Sequence, residues 1–115
     1  MPKIKNWKKI VNNETYHSGG GIYVDMQRWK NTETGAQVEV VVASPSRPKS
    51  THGDIEIYSE KAGYVGAAYG EEGSRTATKR KLAKVATSWM KKNPQPKEDY
   101  LVNQAVDDLQ NKIDV

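Results

Sequence analysis

The sequence predicts an α+β domain in which an antiparallel sheet of about four strands is followed by two helices, in the order ββββαα. Apolar and polar residues alternate in short segments between residues 22 and 59, which is the pattern of half-buried strands. Stretches rich in Gly, Pro, Asn and Ser separate these segments and predict turns. Between residues 74 and 113 the apolar spacing changes to three and four residues, which predicts amphipathic helices on one face of the sheet.

The first part of the chain contains a predicted strand, a loop and a hairpin. Residues 3–12 contain Ile, Val and Trp, which favour a strand, although their spacing also fits a helix. Residues 12–21 are expected to form a loop, because they end in three consecutive glycines. Residues 22–30 and 36–43 alternate and flank residues 31–35, which end in Gly. This arrangement predicts a β-hairpin with that Gly in a left-handed conformation.

The middle of the chain contains a second loop and the last predicted strands. Residues 44–53 include two prolines and no large apolar side chain, so we expect an exposed loop there. Residues 54–59 alternate clearly and predict a further strand. Residues 64–69 are rich in Ala and Gly, and they fit either a short edge strand or an irregular connection.

Two helices are predicted in the last third of the chain. The first spans residues 74–92, with Ser74 or Thr76 as its N-terminal cap, and it stops at residues 93–94, which are Asn-Pro. Its apolar side consists of Leu82, Val85, Ala86, Trp89 and Met90. The second spans residues 98–113, and its apolar side consists of Leu101, Val102, Ala105, Leu109 and Ile113.

Charge divides the chain into two parts. The net charge of the 115 residues is +4, but residues 1–92 hold 16 Lys and Arg against 9 Asp and Glu. The remaining residues hold 2 against 5. We therefore distinguish a basic sheet-plus-helix domain, residues 1–93, from a Pro-bordered linker with an acidic helix, residues 94–115. A basic body is typical of a phosphate-binding surface, although ordinary surface lysines also produce one.

Several function classes are excluded by composition. The absence of Cys excludes disulfides, thiolate catalysis, Cys-ligated zinc and iron–sulfur clusters. No apolar run approaches the ~18 residues of a transmembrane helix. The basic N-terminus lacks the apolar stretch of a signal peptide. We therefore expect a cytoplasmic domain without membrane contact and without a cofactor.

The chain carries no recognisable catalytic constellation. It has no Ser-His-Asp order, no nucleophile elbow and no paired-carboxylate motif. The glycine run at residues 19–21 precedes neither a Lys-Ser/Thr pair nor a helix, unlike nucleotide-binding loops. His17 and His52 lack a convincing third metal ligand. We expect neither an enzyme nor a metal site.

The start of the first helix is unusually basic. Its first three turns carry Arg75, Lys79, Arg80, Lys81 and Lys84. Positive charge at a helix N-terminus opposes the helix dipole by ~0.3–1 kcal/mol per group, which suggests that an anion such as phosphate binds there. Two alternatives remain open: the upstream Glu71 and Glu72 neutralise the cluster, or its side chains are simply solvated.

Aromatic residues provide a second candidate surface. By alternation, Tyr23, Trp29 and Tyr58 lie on the sheet face opposite the one that carries Ile22, Val24, Ile55 and Ile57. If the helices cover the Ile and Val face, these rings are exposed beside Arg28 and Lys30. Exposed rings beside cations suit base stacking by single-stranded nucleic acid. The alternatives are that the rings belong to the core, since Phe is absent, or to a dimer surface.

One segment resembles a known family. Residues 73–84, Gly-Ser-Arg-Thr-Ala-Thr-Lys-Arg-Lys-Leu-Ala-Lys, resemble the start of the last helix in double-stranded-RNA-binding domains, where basic residues grip phosphates after three strands. This chain lacks a clear helix before the sheet, which that family has. The order of sheet then helix is also similar to arm-binding domains of phage-type integrases and to single-strand-binding coactivator domains. Each similarity covers under a third of the chain, so we assign no family.

The sequence favours a small nucleic-acid-binding protein. The basic helix start is expected to contact phosphates of DNA or RNA, and the sheet aromatics are candidates for base contacts. The alternative is a non-enzymatic interaction module, a regulator or inhibitor from a viral or mobile-element family. Its partner would be another protein or a second copy of the chain, docked through the sheet or the acidic helix.

Overall fold

A computed structural model describes residues 3–18, 22–45 and 52–115; for residues 13–18, 22–23 and 44–45 only the backbone is described. The described part contains a five-stranded antiparallel sheet in the sequential order β1-β2-β3-β4-β5. The strands are β1 Trp7–Ser18, β2 Ile22–Asn31, β3 Gln37–Pro45, β4 His52–Ser59 and β5 Gly63–Gly70. Helices follow the sheet, so the α+β prediction is confirmed. The weaker candidate at residues 64–69 is the fifth strand, and it forms one edge of the sheet.

Strand β1 is longer than the sequence predicts. The expected loop at residues 12–21 is wrong for residues 12–18, which belong to β1, and residues 14–18 pair with β2. The pairing changes register between Lys9 and Val11 and again between Val11 and Glu14. Because each irregularity interrupts the two-residue alternation, the polar second half of β1 carries no strand pattern in the sequence. The glycine run at residues 19–21 and most of the predicted loop, residues 46–51, lie outside the described residues.

The predicted hairpin between β2 and β3 is confirmed. The side-chain oxygen of Asn31 accepts hydrogen bonds from the backbone N–H groups of Glu33 and Thr34, each at 2.9 Å. Gly35 then takes the left-handed conformation, with φ of 77°. The Asn31 side chain therefore closes the turn, and the left-handed conformation at residue 35 favours glycine.

The two sheet faces differ from the prediction in β2. Cross-strand pairing aligns Trp29 with Val38 and Val38 with Ile57, and all three are buried on the face under the helices. Alternation then puts Val24 on the opposite, open face. The prediction that the Val24 face of β2 joins the Ile55 and Ile57 face is wrong. Alternation defines two faces within a strand, but register with the neighbouring strand decides which face enters the core.

The helices begin and end close to their predicted positions. Helix α1, Arg75–Lys92, is capped by Ser74, whose hydroxyl accepts a hydrogen bond from the N–H of Ala77 at 3.1 Å. It ends at Asn93. The second predicted helix consists of α2 Glu98–Tyr100, a π-helical turn Leu101–Ala105 and α3 Val106–Ile113. None of these helices is long and apolar enough to cross a membrane, within the part of the chain that the structure describes.

The helices cover only part of the sheet. Helix α1 packs on β3 and β4, and α3 packs on β5. The C-terminal segment shares one hydrophobic core with α1, to which it contributes Leu101, Ala105, Leu109 and Ile113. Strands β1 and β2 extend beyond α1 on the same face. The uncovered corner is closed by Trp7 and Trp29, which are 6% and 5% exposed.

Close helix–sheet contact depends on Gly53 in β4. A Cβ atom at this position would lie 2.5 Å from Leu82 Cδ1 and 2.8 Å from Thr78 Cγ2. Both neighbours are buried on α1. The absence of a side chain at Gly53 therefore sets how near the helix lies to the sheet.

We expect Gly53→Ala to lower the free energy of unfolding by about 1–3 kcal/mol, because the added methyl group overpacks the α1–β4 contact. Thermal or urea unfolding monitored by circular dichroism would measure this. Gly73→Ala is the matched control, since nothing lies within 4 Å of a Cβ there. Equal stability of the two variants would contradict the packing assignment.

Candidate functional site

Most of the basic residues at the start of α1 have partners within the chain. The carboxylate of Asp25, a β2 residue that is 5% exposed, lies 3.3 Å from Arg75 Nε and 3.8 Å from Lys79 Nζ. Lys81 Nζ lies 3.0 Å from Glu72 Oε1. The sheet and the preceding loop therefore supply the negative charge that a helix N-terminus favours. The alternative in which an upstream glutamate neutralises the cluster is confirmed for Lys81.

The outer residues of the cluster differ from its first members. Arg80 and Lys84 are exposed, and neither has an acidic group within 4.0 Å among the residues that the structure describes. They are four residues apart on α1 and so lie on one side of the helix. Of the predicted basic cluster, these two cations are the ones left available to an external anion.

The open sheet face does not carry the predicted set of aromatic rings. The prediction that Trp29 is exposed there is wrong, because Trp29 lies on the helix side. Tyr58 is on the open face as predicted, half-buried, and its hydroxyl donates to Glu56 Oε1 at 3.1 Å. The side chain of Tyr23 lies outside the described residues. The expected row of three rings is therefore not formed.

Carboxylates are concentrated on this open face. Arg28 Nη2 lies 2.9 Å from the buried carboxylate of Glu39, and Lys30 is exposed at the strand end. Burial, together with the nearby charges of Glu56 and Glu39, raises the pKa of Asp54 to about 7. A role of Arg28, Lys30 and Tyr58 in binding nucleic acid stays a prediction, and the local electrostatics do not favour it.

Burial also raises the pKa of Tyr58 to about 12, with the Glu56 carboxylate as the next cause. The Tyr58 hydroxyl therefore stays a hydrogen-bond donor to Glu56 throughout the neutral range. Among the described residues, Asp54 Oδ1 is buried without a hydrogen-bond partner, and the Asp54 carboxyl group shares a side-chain hydrogen bond with Glu56. Protonated Asp54 can donate to Glu56, whereas ionised Asp54 adds a second negative charge beside it.

A basic cavity lies at the uncovered corner of the helix face. It has a volume of about 1000 Å³ and is bounded by the N-terminal segment, β1, β2 and α1. Five lysines border it, namely Lys3, Lys8, Lys9, Lys84 and Lys91, of which Lys8 pairs with Lys30 and therefore points to the open sheet face. No acidic residue is among the described residues that line it. The cavity therefore combines concave shape with a concentrated positive charge, which favours an anionic ligand.

The inner wall of the cavity is aromatic. Trp7 and Trp29 line it, and the ammonium of Lys9 lies 5.0 Å from the centroid of the Trp29 ring. The Trp7 ring is fixed by a hydrogen bond from its Nε1 to the carbonyl of Asn93 at 3.0 Å, and it packs on Trp89 at 5.9 Å between centroids. The wall is thus held in place by contacts with the hydrophobic core.

Three side chains tie the end of α1 to the sheet beside this cavity. Trp7 donates to the carbonyl of Asn93, and Asn6 and Asn31 donate to the carbonyl of Pro94 at 3.0 and 2.9 Å. Backbone carbonyls after a helix need such donors. Because these bonds join α1 to β1 and β2, they fix the width of the cavity.

Two polar groups of the cavity lining can interact with a ligand. Burial lowers the pKa of Lys9, and the positive charge of Lys79 lowers it further. Gln27 is only 9% exposed as a residue, and its carboxamide forms no hydrogen bond with another described residue, although the amide atoms keep contact with solvent. A bound anion would relieve the repulsion at Lys9, and a polar ligand edge would pair with the amide.

The cavity contains two of the residues predicted from the sequence, Lys84 and Trp29. Trp29 was predicted to lie on the open sheet face, but it lines the cavity on the helix side. Sequence analysis missed Gln27 and the remaining lysines, Lys3, Lys8, Lys9 and Lys91. The basic composition of residues 3–9 was the available signal. The pairing of β1 beside β2, which brings that segment opposite α1, was not visible.

Comparison with protein-family models, with curated protein sequences and with solved structures gives no match to this chain. Function must therefore be argued from the residues themselves. Within the described part of the chain, no group of three or more His, Cys, Asp or Glu residues could hold a metal ion.

We expect Asp25→Asn to lower the free energy of unfolding by about 1–3 kcal/mol, because the amide removes the buried negative charge between Arg75 and Lys79. Urea unfolding at neutral pH would measure the loss. The exposed Asp107→Asn on α3 is the control for a charge change of the same size. An equal effect of both substitutions would refute the structural role of Asp25.

We expect the stability of the chain to depend on pH through Asp54. Its folded-state pKa of about 7 lies above the ordinary 3.8, so the unfolded chain releases this proton first as pH rises. The contribution of protonated Asp54 to the free energy of unfolding is complete below about pH 4, and it is lost as the pH rises through about 7. The melting-temperature advantage of Asp54→Asn over the parent should therefore grow from about pH 5 to pH 8.

The control for this pH series is Asp107→Asn, at an exposed carboxylate. Its difference in melting temperature from the parent chain should stay constant across the same range. A constant difference for Asp54→Asn as well would contradict the raised pKa.

Proposed function

We propose that this chain binds nucleic acid, with the phosphate backbone contacting the lysines of the cavity rim and the adjoining face of α1. The observation that carries the proposal is the set of five lysines around one cavity with no carboxylate among the described lining residues. Lysine ammonium groups act as mobile point charges that suit successive phosphates.

Helix α1 supports the proposal by extending the basic surface along a line. Arg80, Lys84 and Lys91 are separated by four and seven residues, which places them on one helical stripe. The stripe rises by about 16 Å over these eleven residues, a length that spans several phosphates of one strand. Contacts of this kind position a strand without reading its sequence.

The first residues of the predicted cluster take a different place in the proposal. Arg75 and Lys79 share Asp25, and Lys81 pairs with Glu72. An ion pair inside the chain reduces the counterion release that a phosphate contact would gain. We therefore assign the main phosphate contacts to Arg80, Lys84 and the cavity lysines, with secondary contributions from the paired residues.

We expect the double substitution Lys84→Glu with Lys91→Glu to lower affinity for DNA or RNA oligonucleotides by about 10-fold or more. It should also reduce the slope of log affinity against log salt by about two, because two phosphate contacts are lost. Fluorescence anisotropy at about 50 and 200 mM salt would measure both quantities.

The matched control is Lys61→Glu with Lys97→Glu, which reverses two exposed lysines outside the cavity and produces the same net charge. The control should keep most of the affinity of the parent chain. Equal losses in the two double variants would mean that net charge alone drives binding. Absence of binding by the parent at low salt would overturn the proposal and favour a protein partner.

A further inference from the structure

We infer that the cavity between β1, β2 and α1 receives the base of an unpaired nucleotide, so that the chain prefers single-stranded over double-stranded nucleic acid. The inference rests on the proposed function and adds to it the part of the nucleotide that enters the cavity. The carrying features are an aromatic wall, an unpaired carboxamide within it and a rim of lysines.

The first argument is the shape and size of the cavity. Its volume of about 1000 Å³ is at the upper end of the ~300–1000 Å³ of small-molecule sites, so one nucleotide unit fits. A flat surface would be enough for phosphate contacts alone, because those contacts follow the outside of a strand. A concave site beside the basic stripe instead provides space for a group that projects from the backbone.

The second argument is the chemistry of the wall. Trp7 and Trp29 line it, but they are only 6% and 5% exposed, so they offer a base an apolar contact at the exposed part of each ring rather than an open stacking face. The carboxamide of Gln27 offers N–H donors and a carbonyl acceptor at the same wall, and no described residue forms a hydrogen bond with it. Base edges present such donor and acceptor pairs.

The third argument is the arrangement of charge. Lys84 and Lys91 stand on α1 at one side of the cavity, while Lys3 stands in the N-terminal segment at the other. A base in the cavity would place its own phosphate and the next one within reach of both sides. The ammonium of Lys9 lies over Trp29, at the inner end, where it can contact an electronegative atom of the base.

These features favour a single strand. A base in a duplex is stacked and paired, so it must leave the helix before it can enter a cavity, which costs free energy. An unpaired base enters at a much lower free-energy cost, because no base pair has to be broken. The preference for a single strand should therefore come from the cavity, whereas the basic stripe of α1 serves either form.

The deciding experiment compares three labelled probes of equal length by fluorescence anisotropy at low salt with the full chain. The probes are oligothymidylate, an abasic strand with the same number of phosphates, and a duplex. We expect oligothymidylate to bind about 10-fold more tightly than the abasic strand, and also more tightly than the duplex. Quenching of tryptophan fluorescence by oligothymidylate, and not by the abasic strand, would be the second readout.

Two variants test the cavity itself. Ala83→Phe fills the cavity without changing its charge, because Ala83 lies on its lining. It should bind oligothymidylate and the abasic strand equally, while keeping the salt dependence of the parent. Gln27→Met removes the carboxamide with little change in side-chain length, and it should reduce the difference between the same two probes. Asn111→Phe, exposed on α3, is the control for an added ring.

Each outcome is decisive. Loss of base preference in Ala83→Phe and Gln27→Met, with Asn111→Phe unchanged, supports the inference. Equal binding of all three probes by the parent chain would overturn it and leave the proposed function intact, since phosphate contacts would be sufficient. Failure to bind any probe would overturn both. Binding of a medium-chain fatty acid by the parent chain, without binding of oligothymidylate, would instead assign the cavity to a ligand with an apolar chain and an anionic head group.

Discussion

Incomplete coverage of the sheet by the helices is the constraint on which the rest of this structure depends. Helix α1 lies over β3 and β4, and α3 lies over β5, so β1 and β2 project beyond them on the same side. The apolar surface left there must be closed by side chains rather than by a third helix. Trp7 and Trp29 close it, with Trp89 behind them. The cavity is the space that these rings leave open toward solvent.

Charged residues are arranged differently at the start of α1 and at the cavity. At the start of α1 the chain pairs its own cations with Asp25 and Glu72, which stabilises the helix–sheet junction. At the cavity, lysines accumulate without carboxylates among the described lining residues, and the pKa of Lys9 is lowered. Burial and the nearby charge of Lys79 disfavour the charged form of Lys9. Such a cost is typical of sites organised for a ligand of opposite charge.

The open sheet face, unlike the cavity, carries a group of carboxylates. Glu39, Glu56 and Asp54 lie on adjacent strands there, and Arg28 is engaged by Glu39. The open face thus carries carboxylates beside Arg28 and Lys30, whereas no carboxylate lies among the described residues that line the cavity. An extended anion would approach the helix side, and this asymmetry would orient the molecule on a charged partner before any close contact forms.

Local patterns in the sequence determined the classes of structure and most of their positions. Alternation gave β2 to β4, the 3–4 spacing gave both helices, and Ser74 and Gly35 marked a cap and a turn. The sequence also identified Arg80 and Lys84 as surface cations. These features depend on residues close together in the chain, so their physical causes are contained in short segments.

Tertiary structure decided what depends on residues far apart. The register of β2 against β3 turned Trp29 and Gln27 toward the helices, and the irregular pairing of β1 extended that strand. Asp25 met Arg75 only because the N-terminal end of α1 lies beside β2. The cavity itself joins residues 3–9 to α1. Hydrophobic periodicity along the chain does not reveal cross-strand register or helix placement, because both are set by packing of the whole core.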